Sequence, residues 1–373
     1  MVRSVTIGRA LTWLMVLMCI MAISVAHAAD ITITDDTGRE VTLSAPARRI
    51  ILTDGMAVTA LALIDREPAT ILAGYNRARI DPAALAQLEK GMPGLTSVPD
   101  IGDPGMGGSL EGVIALRPDL VILDPFYNRS PQAIRTMEAA GIAVAVIAIT
   151  PLPAEDHPHD GLRRLGVLTG RSEAANAYAD WADARLANIR KRAATVAPGA
   201  RPAVLIEAHA GRGKCCLAVG AGRGIGEFVD LVGGINIGAE VLSGMAGELS
   251  PEYVLARAPQ VYIATGGPYL AGTDGLVIGP GVSEAEAEAG LSRVVQRLGI
   301  EGTPAQTAGQ VHGIWHGLAV SAFNIVAMEA VARWTNPTLF ADIDPRLTMD
   351  EINTRFLAAP LAGALWVSPE GNE

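Results

Sequence analysis

From Ile31 to Val41 isoleucine and threonine alternate around Asp35-Asp36-Thr37-Gly38, the pattern of a β-hairpin. Short apolar runs then alternate with helix-like stretches. Arg49–Leu52 reads as a buried strand, Met56–Leu63 as a helix and Ile71–Gly74 as a strand. A helix over Leu110–Leu116 leads to the strand Leu120–Leu123, and a helix over Pro131–Ala140 to the strand Ile142–Ile149. Such alternation predicts a parallel sheet with helices packed on it.

The pattern changes at Gly161. The stretch to Ala194 lacks proline, and Ala177, Trp181, Ala184 and Ile189 fall at helical spacing. Ser172 is placed to cap a helix to Ala194, about 34 Å long at 1.5 Å per residue. Pro198-Gly199 ends it, and a second apolar series begins at Ala203-Val204-Leu205-Ile206. That series echoes the first. Ser109-Leu110-Glu111 through Pro118 to Ile122 aligns at constant offset with Ser250-Pro251-Glu252 through Pro259 to Ile263. In each copy serine caps a helix, glutamate sits in its first turn and proline precedes a buried strand. Two copies suit two similar lobes, since a solenoid needs at least three units.

At 373 residues the chain exceeds a single core, which agrees with two lobes. Half the residues are hydrophobic, so a largely disordered chain is excluded. The formal charge of -10 leaves no basic stripe for nucleic acid. No Cys/His array has zinc spacing. Arg3 and Arg9 precede an uncharged run to Ala26, followed by Ala26-His27-Ala28. This is the order of a secretory signal peptide cleaved after Ala28; the alternative is an uncleaved anchor. Cys19 lies in that run behind Met18, which argues against lipidation. The mature chain is expected in the periplasm.

Four segments together resemble the substrate-binding proteins of ABC importers for iron–siderophore complexes, haem and cobalamin (class III). They are Arg49–Leu52, the twinned Ser-x-Glu unit, Leu165–Arg171 running into the long helix, and Gly224–Asn236. The resemblance implies two Rossmann-like α/β lobes with mainly parallel sheets, joined by one rigid helix. The divisions are 1–28 for the signal peptide, 29–160 for the first lobe, 161–196 for the connector and 197–373 for the second lobe. It also implies a monomer with no cofactor of its own, which gives its cargo to a permease dimer and its ATPase. Carried over, Glu111 and Glu252 become permease-docking residues, a role compatible with helix capping.

Ligands of open α/β sheets bind beyond the carboxyl ends of the strands. That rule selects Tyr75, Arg77, Phe126 and Tyr127 in the first lobe, and Arg212, Lys214, Arg223, Tyr269, Trp315 and His316 in the second. Aromatic faces and cations of this kind suit an extended anionic ligand. A ferric siderophore is the first expectation; haem and cobalamin follow. Cys215-Cys216 is either a vicinal disulfide stiffening its loop or two thiols. His157 and His159, within Glu155–Asp160, read as a solvated acidic turn or a metal site. His312 and His316 would share a face if helical, though Gly313 and Gly317 weaken that helix, so a bare metal-ion carrier is the weaker case. The opposing class is a cleft enzyme acting on a chelate. No G-x-S-x-G, HExxH or P-loop occurs, the Gly220–Gly226 run lacks dinucleotide spacing, and nothing pairs Asp54, Asp103 or Asp124 as acid and base. The chain is therefore expected to bind, not to catalyse.

Overall fold

The computed structural model describes residues 30–102, 109–125, 130–221 and 224–369. The signal segment, Cys19, Asp103, Phe126, Tyr127 and Arg223 lie outside them. The chain opens with the expected hairpin, β1 (Ile31–Thr34) antiparallel to β2 (Glu40–Leu43). Asp35 shapes its turn by accepting from the Thr37 and Arg39 amides.

The first lobe is a four-stranded parallel sheet of β3 (Ile50–Leu52), β4 (Leu72–Tyr75), β5 (Leu120–Leu123) and β6 (Ala143–Val146). Its order is β4-β3-β5-β6. Alternate residues feed two cores. Ile50, Leu52, Leu120 and Ile122 face one, and Ile51, Val121, Leu123 and Val144 the other. Burial on both faces explains why these strands read as unbroken apolar runs. The predicted strand Ile142–Ile149 pairs only over Ala143–Val146.

The second lobe centres on three parallel strands, β7 (Ala203–Glu207), β11 (Val261–Gly266) and β13 (Val311–Trp315). β8 (Leu217–Val219) and β10 (Ala246–Glu248) extend it antiparallel on one side; β9 (Ile235–Asn236) also pairs with β7. Beyond β12 (Gly279–Pro280) and β14 (Gly363–Ala364), which pair with each other, β15 (Trp366–Val367) joins the far edge antiparallel to β13. The centre is parallel as expected, while antiparallel strands finish both edges.

The sequence repeat is a structural repeat. Ser109 Oγ accepts from the Gly112 amide (3.1 Å) and Ser250 Oγ from the Tyr253 amide (3.2 Å), capping helices Leu110–Ala115 and Pro251–Arg257. Both units turn into their strand through a left-handed non-glycine residue at the same repeat position, Arg117 (φ 48°) and Ala258 (φ 46°).

The connector is two helices, Asp160–Thr169 and Ser172–Ala193, separated by left-handed Gly170 (φ 71°). Ser172 is the first helical residue and Arg171 precedes it with no side-chain cap, so the expected serine cap is corrected. The long helix is seized from both sides. Arg171 pairs with Asp65 of the first lobe, and Arg190 donates to the Pro153 and Glu155 carbonyls. Toward the second lobe, buried Tyr178 donates to the Ala322 carbonyl (2.7 Å). Arg185 bonds Glu329 (3.1 Å), Thr348 (3.1 Å) and Glu351 (2.7 Å), with its guanidinium over Trp181. The apolar core is continuous across the connector, from the Ala57–Ile64 helix of the first lobe to the Asn324–Thr335 helix of the second.

Glu329 is buried, and burial raises its carboxyl pKa against the opposing pull of Thr348 and Arg185. A raised pKa means more protons bound folded than unfolded, so this group's contribution falls as pH rises from 4.5 through the raised value. Arg185→Met strands that carboxylate. It should destabilise the protein by about 3–5 kcal/mol at neutral pH and by less in acid, measured by urea unfolding. Equal losses at both pH values would contradict the role assigned to Arg185.

Candidate functional site: the cleft between the lobes

In the first sheet the chain leaves β3 toward β4 and returns to β5 on the other side, so β3 and β5 flank a topological switch point. Thr53 and Asp124 follow those strands, with the Asp124 amide donating to Thr53 Oγ1 (3.1 Å). This locks the two loops together. Asp54, Asp124, Pro125 and the 148–153 segment face Gly224, Glu227, Phe228, Met245 and Val320 of the second lobe across a cavity of about 140 Å³. Its floor joins the lobes directly: Asn324 Nδ2 donates to the Pro151 carbonyl (2.9 Å) and Thr150 Oγ1 to that of Val320 (3.3 Å).

A second cluster lies where the three central strands of the second sheet end. His209 follows β7, Tyr269 follows β11 on the turn Pro268–Leu270, and His316 follows β13 directly. His209 Nδ1 lies 2.6 Å from the Tyr269 hydroxyl. The His209 and His316 rings are 4.6 Å apart, and those of His209 and Tyr269 are 5.5 Å apart. Asp81, which caps the first-lobe helix Pro82–Gly91, faces this group closely enough to interact with Trp315 and to raise the Tyr269 pKa further. That helix is fixed to the second lobe by Gln87, which exchanges hydrogen bonds with the Ala362 backbone (2.6 and 2.7 Å). Burial holds His316 down at about 4, with His209 adding to the effect. His209 is lowered by burial and by the Arg212 charge, and Asp81 is raised by burial. At neutral pH both imidazoles are thus uncharged, with lone pairs available.

The structure corrects several sequence-based expectations. Tyr75 and Trp315 are fully buried, Tyr75 donating to the Leu95 carbonyl (3.2 Å), so neither ring offers a face to a ligand. Arg77 spends its guanidinium on the Thr96 and Val98 carbonyls of its own lobe. His312 lies in strand β13, stacked 4.6 Å from Trp334 and bonded to Ser368 (2.8 Å); its strand conformation gives it no shared helical face with His316. His159 is buried, with Nδ1 2.5 Å from Asp183 of the long helix, so only exposed His157 fits a solvated turn.

Tyr269 is 45% exposed, Arg212 is exposed and close enough for its charge to act on His209 and Tyr269, and Lys214 is exposed. Cys215 and Cys216 are joined as a vicinal disulfide, with Cys216 paired to Leu249 just before the Ser250 cap. The pair therefore braces the entrance to the helix Pro251–Arg257 as well as the β7 loop. Glu111 and Glu252 are exposed, each held below the usual carboxylate pKa by its own backbone amide and the capping serine. His209 opens the loop to Arg223 that the strand-end rule selects, whereas Asp81 carries only the Asp81-Pro82 cap signal.

The sequence profile described as "Periplasmic binding protein" matches residues 79–314, more than half of the chain. No curated relative matches. The fold is similar to the TroA-like periplasmic binding protein FepB from Veillonella parvula, with a TM-score of 0.80 and 24% identity over 91% of this chain and 99% of that one. It is also similar to the molybdate-bound protein MolA of Haemophilus influenzae (TM-score 0.66, 16% identity, 89% and 99% covered). A periplasmic haem-binding protein of Pseudomonas aeruginosa matches at TM-score 0.54 and 19% identity, over 78% and 94%. The profile match and the two-lobed α/β architecture lead to one conclusion: this chain belongs to the periplasmic binding protein family, the substrate-binding class of ABC transporters.

Proposed function

We propose that this protein captures an iron complex between its lobes in the periplasm and passes it unaltered to an ABC permease. Lobes of residues 29–160 and 197–373 take the two sides of the cargo, and the 161–196 connector sets their separation. Ferric siderophores head the cargo classes, with haem and cobalamin after them. The observation that carries the reading is that strand-end loops of both sheets meet residues of the other lobe. Asp54 and Asp124 share a cavity with Glu227 and Phe228, and Asp81 approaches the group of His209, Tyr269 and His316. Arg212 and Lys214, with Arg223 carried from the sequence reading, supply positive charge for an anionic ligand. Glu111 and Glu252, ionised at corresponding helix starts, give the permease two matched points of register.

Screened by thermal unfolding against ferric siderophores, haemin and cobalamin, the mature protein should be stabilised by an iron complex. Free ligand at a hundred times its Kd adds about 2.7 kcal/mol. The released ligand should be chemically unchanged, whereas a converted product would favour a cleft enzyme.

Reversing both charges in the variant Glu111→Lys with Glu252→Lys should abolish importer-dependent uptake while the purified variant binds cargo as the parent does. Uptake at the parental rate would remove the docking role. For the cysteine pair, intact mass of native protein should rise by two hydrogens on reduction; an unchanged mass would mean two thiols.

A further inference from the structure

We propose that Cys215 and Cys216, once reduced, form with Glu207 a second binding site, which takes one thiophilic divalent cation of the zinc and cadmium type. This goes beyond cargo capture. The site's neighbours are Arg297 and Gly299, neither of which lines the interlobe cavity. One ligand atom from each of Glu207, Cys215 and Cys216 lies within 4.8 Å of the other two, and among the described residues no other three side chains of metal-binding type gather so closely.

The hairpin of β7 and β8 fixes the three donors. Glu207 is the last residue of β7 and pairs with Ala218 of β8, while the Ala208 amide donates to the Leu217 carbonyl (2.8 Å). Cys216, directly before β8, exchanges backbone bonds with Leu249 (3.2 and 2.9 Å). Glu207 and Cys216 are buried and Cys215 is half-buried, so the site is reached from the Cys215 side. A Cβ on Gly299 would meet Cys215 Sγ at 3.0 Å; the glycine leaves bare backbone beside the sulfur. Tyr262 (2.6 Å) and Arg297 (2.5 Å) both bond Oε2 of Glu207, which leaves Oε1 to a cation.

As a disulfide the pair has no thiolate to offer a metal. A dithiol reductant opens it. One thiolate of the reductant attacks Cys215 Sγ, the bond to Cys216 Sγ breaks, and the second thiolate resolves the mixed disulfide. The reductant supplies two electrons and leaves as its own disulfide, while its two protons end on the cysteines. The cation then displaces those protons to water as two sulfur–metal bonds form. Two thiolates and a carboxylate carry three negative charges in a buried place. Arg297 offsets one and a divalent cation the other two, so charge balance favours a divalent ion over a monovalent one. Two sulfurs and one oxygen match thiophilic ions with a filled d shell, and water can fill a fourth position.

The test is titration of the full mature protein with Cd(II) and Zn(II), before and after reduction by dithiothreitol and its removal without oxygen. Reduced protein should show a thiolate-to-cadmium ultraviolet band that saturates at one ion per chain, with two protons released for each ion bound. Oxidised protein should show no band. Cys215→Ser and Cys216→Ser should each weaken binding about tenfold or more, and Glu207→Gln should do the same while the band remains. Should Glu207→Gln fail to fold beside Arg297, the parent and the two serine variants still decide. A reduced, folded parent that gives no band would overturn the site, as would a band undiminished in Cys216→Ser. Equal binding before and after reduction would overturn the redox gate, and unchanged affinity in Glu207→Gln would overturn the third donor. None of these readouts uses an iron complex, so cargo capture is decided separately.

Discussion

The long helix from Ser172 to Ala193 is bonded along its length to both lobes, and the geometry of the cleft depends on that double attachment. Tyr178 and Arg185 fasten it to the second lobe through Ala322, Glu329 and Glu351. Arg171 and Arg190 fasten its two ends to the first lobe through Asp65 and the Pro153 and Glu155 carbonyls. An α-helix of 22 residues is stiff, and here its side chains enter a core shared with both neighbours. Relative rotation of the lobes would have to break buried contacts, so closure around cargo is confined to small adjustments of cleft loops and lobe faces. Gln87 on Ala362 and Asn324 on Pro151 add restraints outside the helix.

Within that frame the chemistry gathers by strand direction. Parallel strands present all their carboxyl ends to one edge, and the two sheets turn those edges toward each other. Residues distant in sequence, such as Asp54 and Asp124 or His209, Tyr269 and His316, come together for that reason alone. The same geometry places helix starts at that edge, because each helix runs back against its strands. Glu111 and Glu252 sit at two such starts. One repeated unit therefore places both a buried strand and an exposed carboxylate at a helix start.

Much of this was legible in the sequence. The alternating hairpin, the buried strands at Ile50 and Leu120, and the Ser-x-Glu repeat fix local structure through period, capping and proline, which are properties of neighbouring residues. The long helix was read to within a residue of its end. Its start at Ser172 agrees, and only the cap role differs, because serine serves as cap or first-turn residue with equal ease. The site was less legible. Tyr75 and Trp315 sit at strand ends as the rule requires, yet both rings turn inward, and orientation at a strand's last residue depends on packing from other segments. Trp315 lies against Gly279 and Gly317, whose missing side chains make room for its indole. Arg77 is absorbed by carbonyls of the Leu95–Ser97 turn and its flank, and His159 by Asp183 from the long helix. Asp81 caps its own helix, and only contact with the opposite lobe gives it a place in the site.

Hydrogen–deuterium exchange of the mature protein, with and without a bound iron complex, bears most directly on the central claim that a doubly fastened rod holds the lobes while cargo enters between them. Amides of Ser172–Ala193 should exchange slowly and equally in both states, with new protection confined to strand-end loops on the two cleft walls. Faster exchange in the helix on binding, or protection restricted to one lobe, would contradict it.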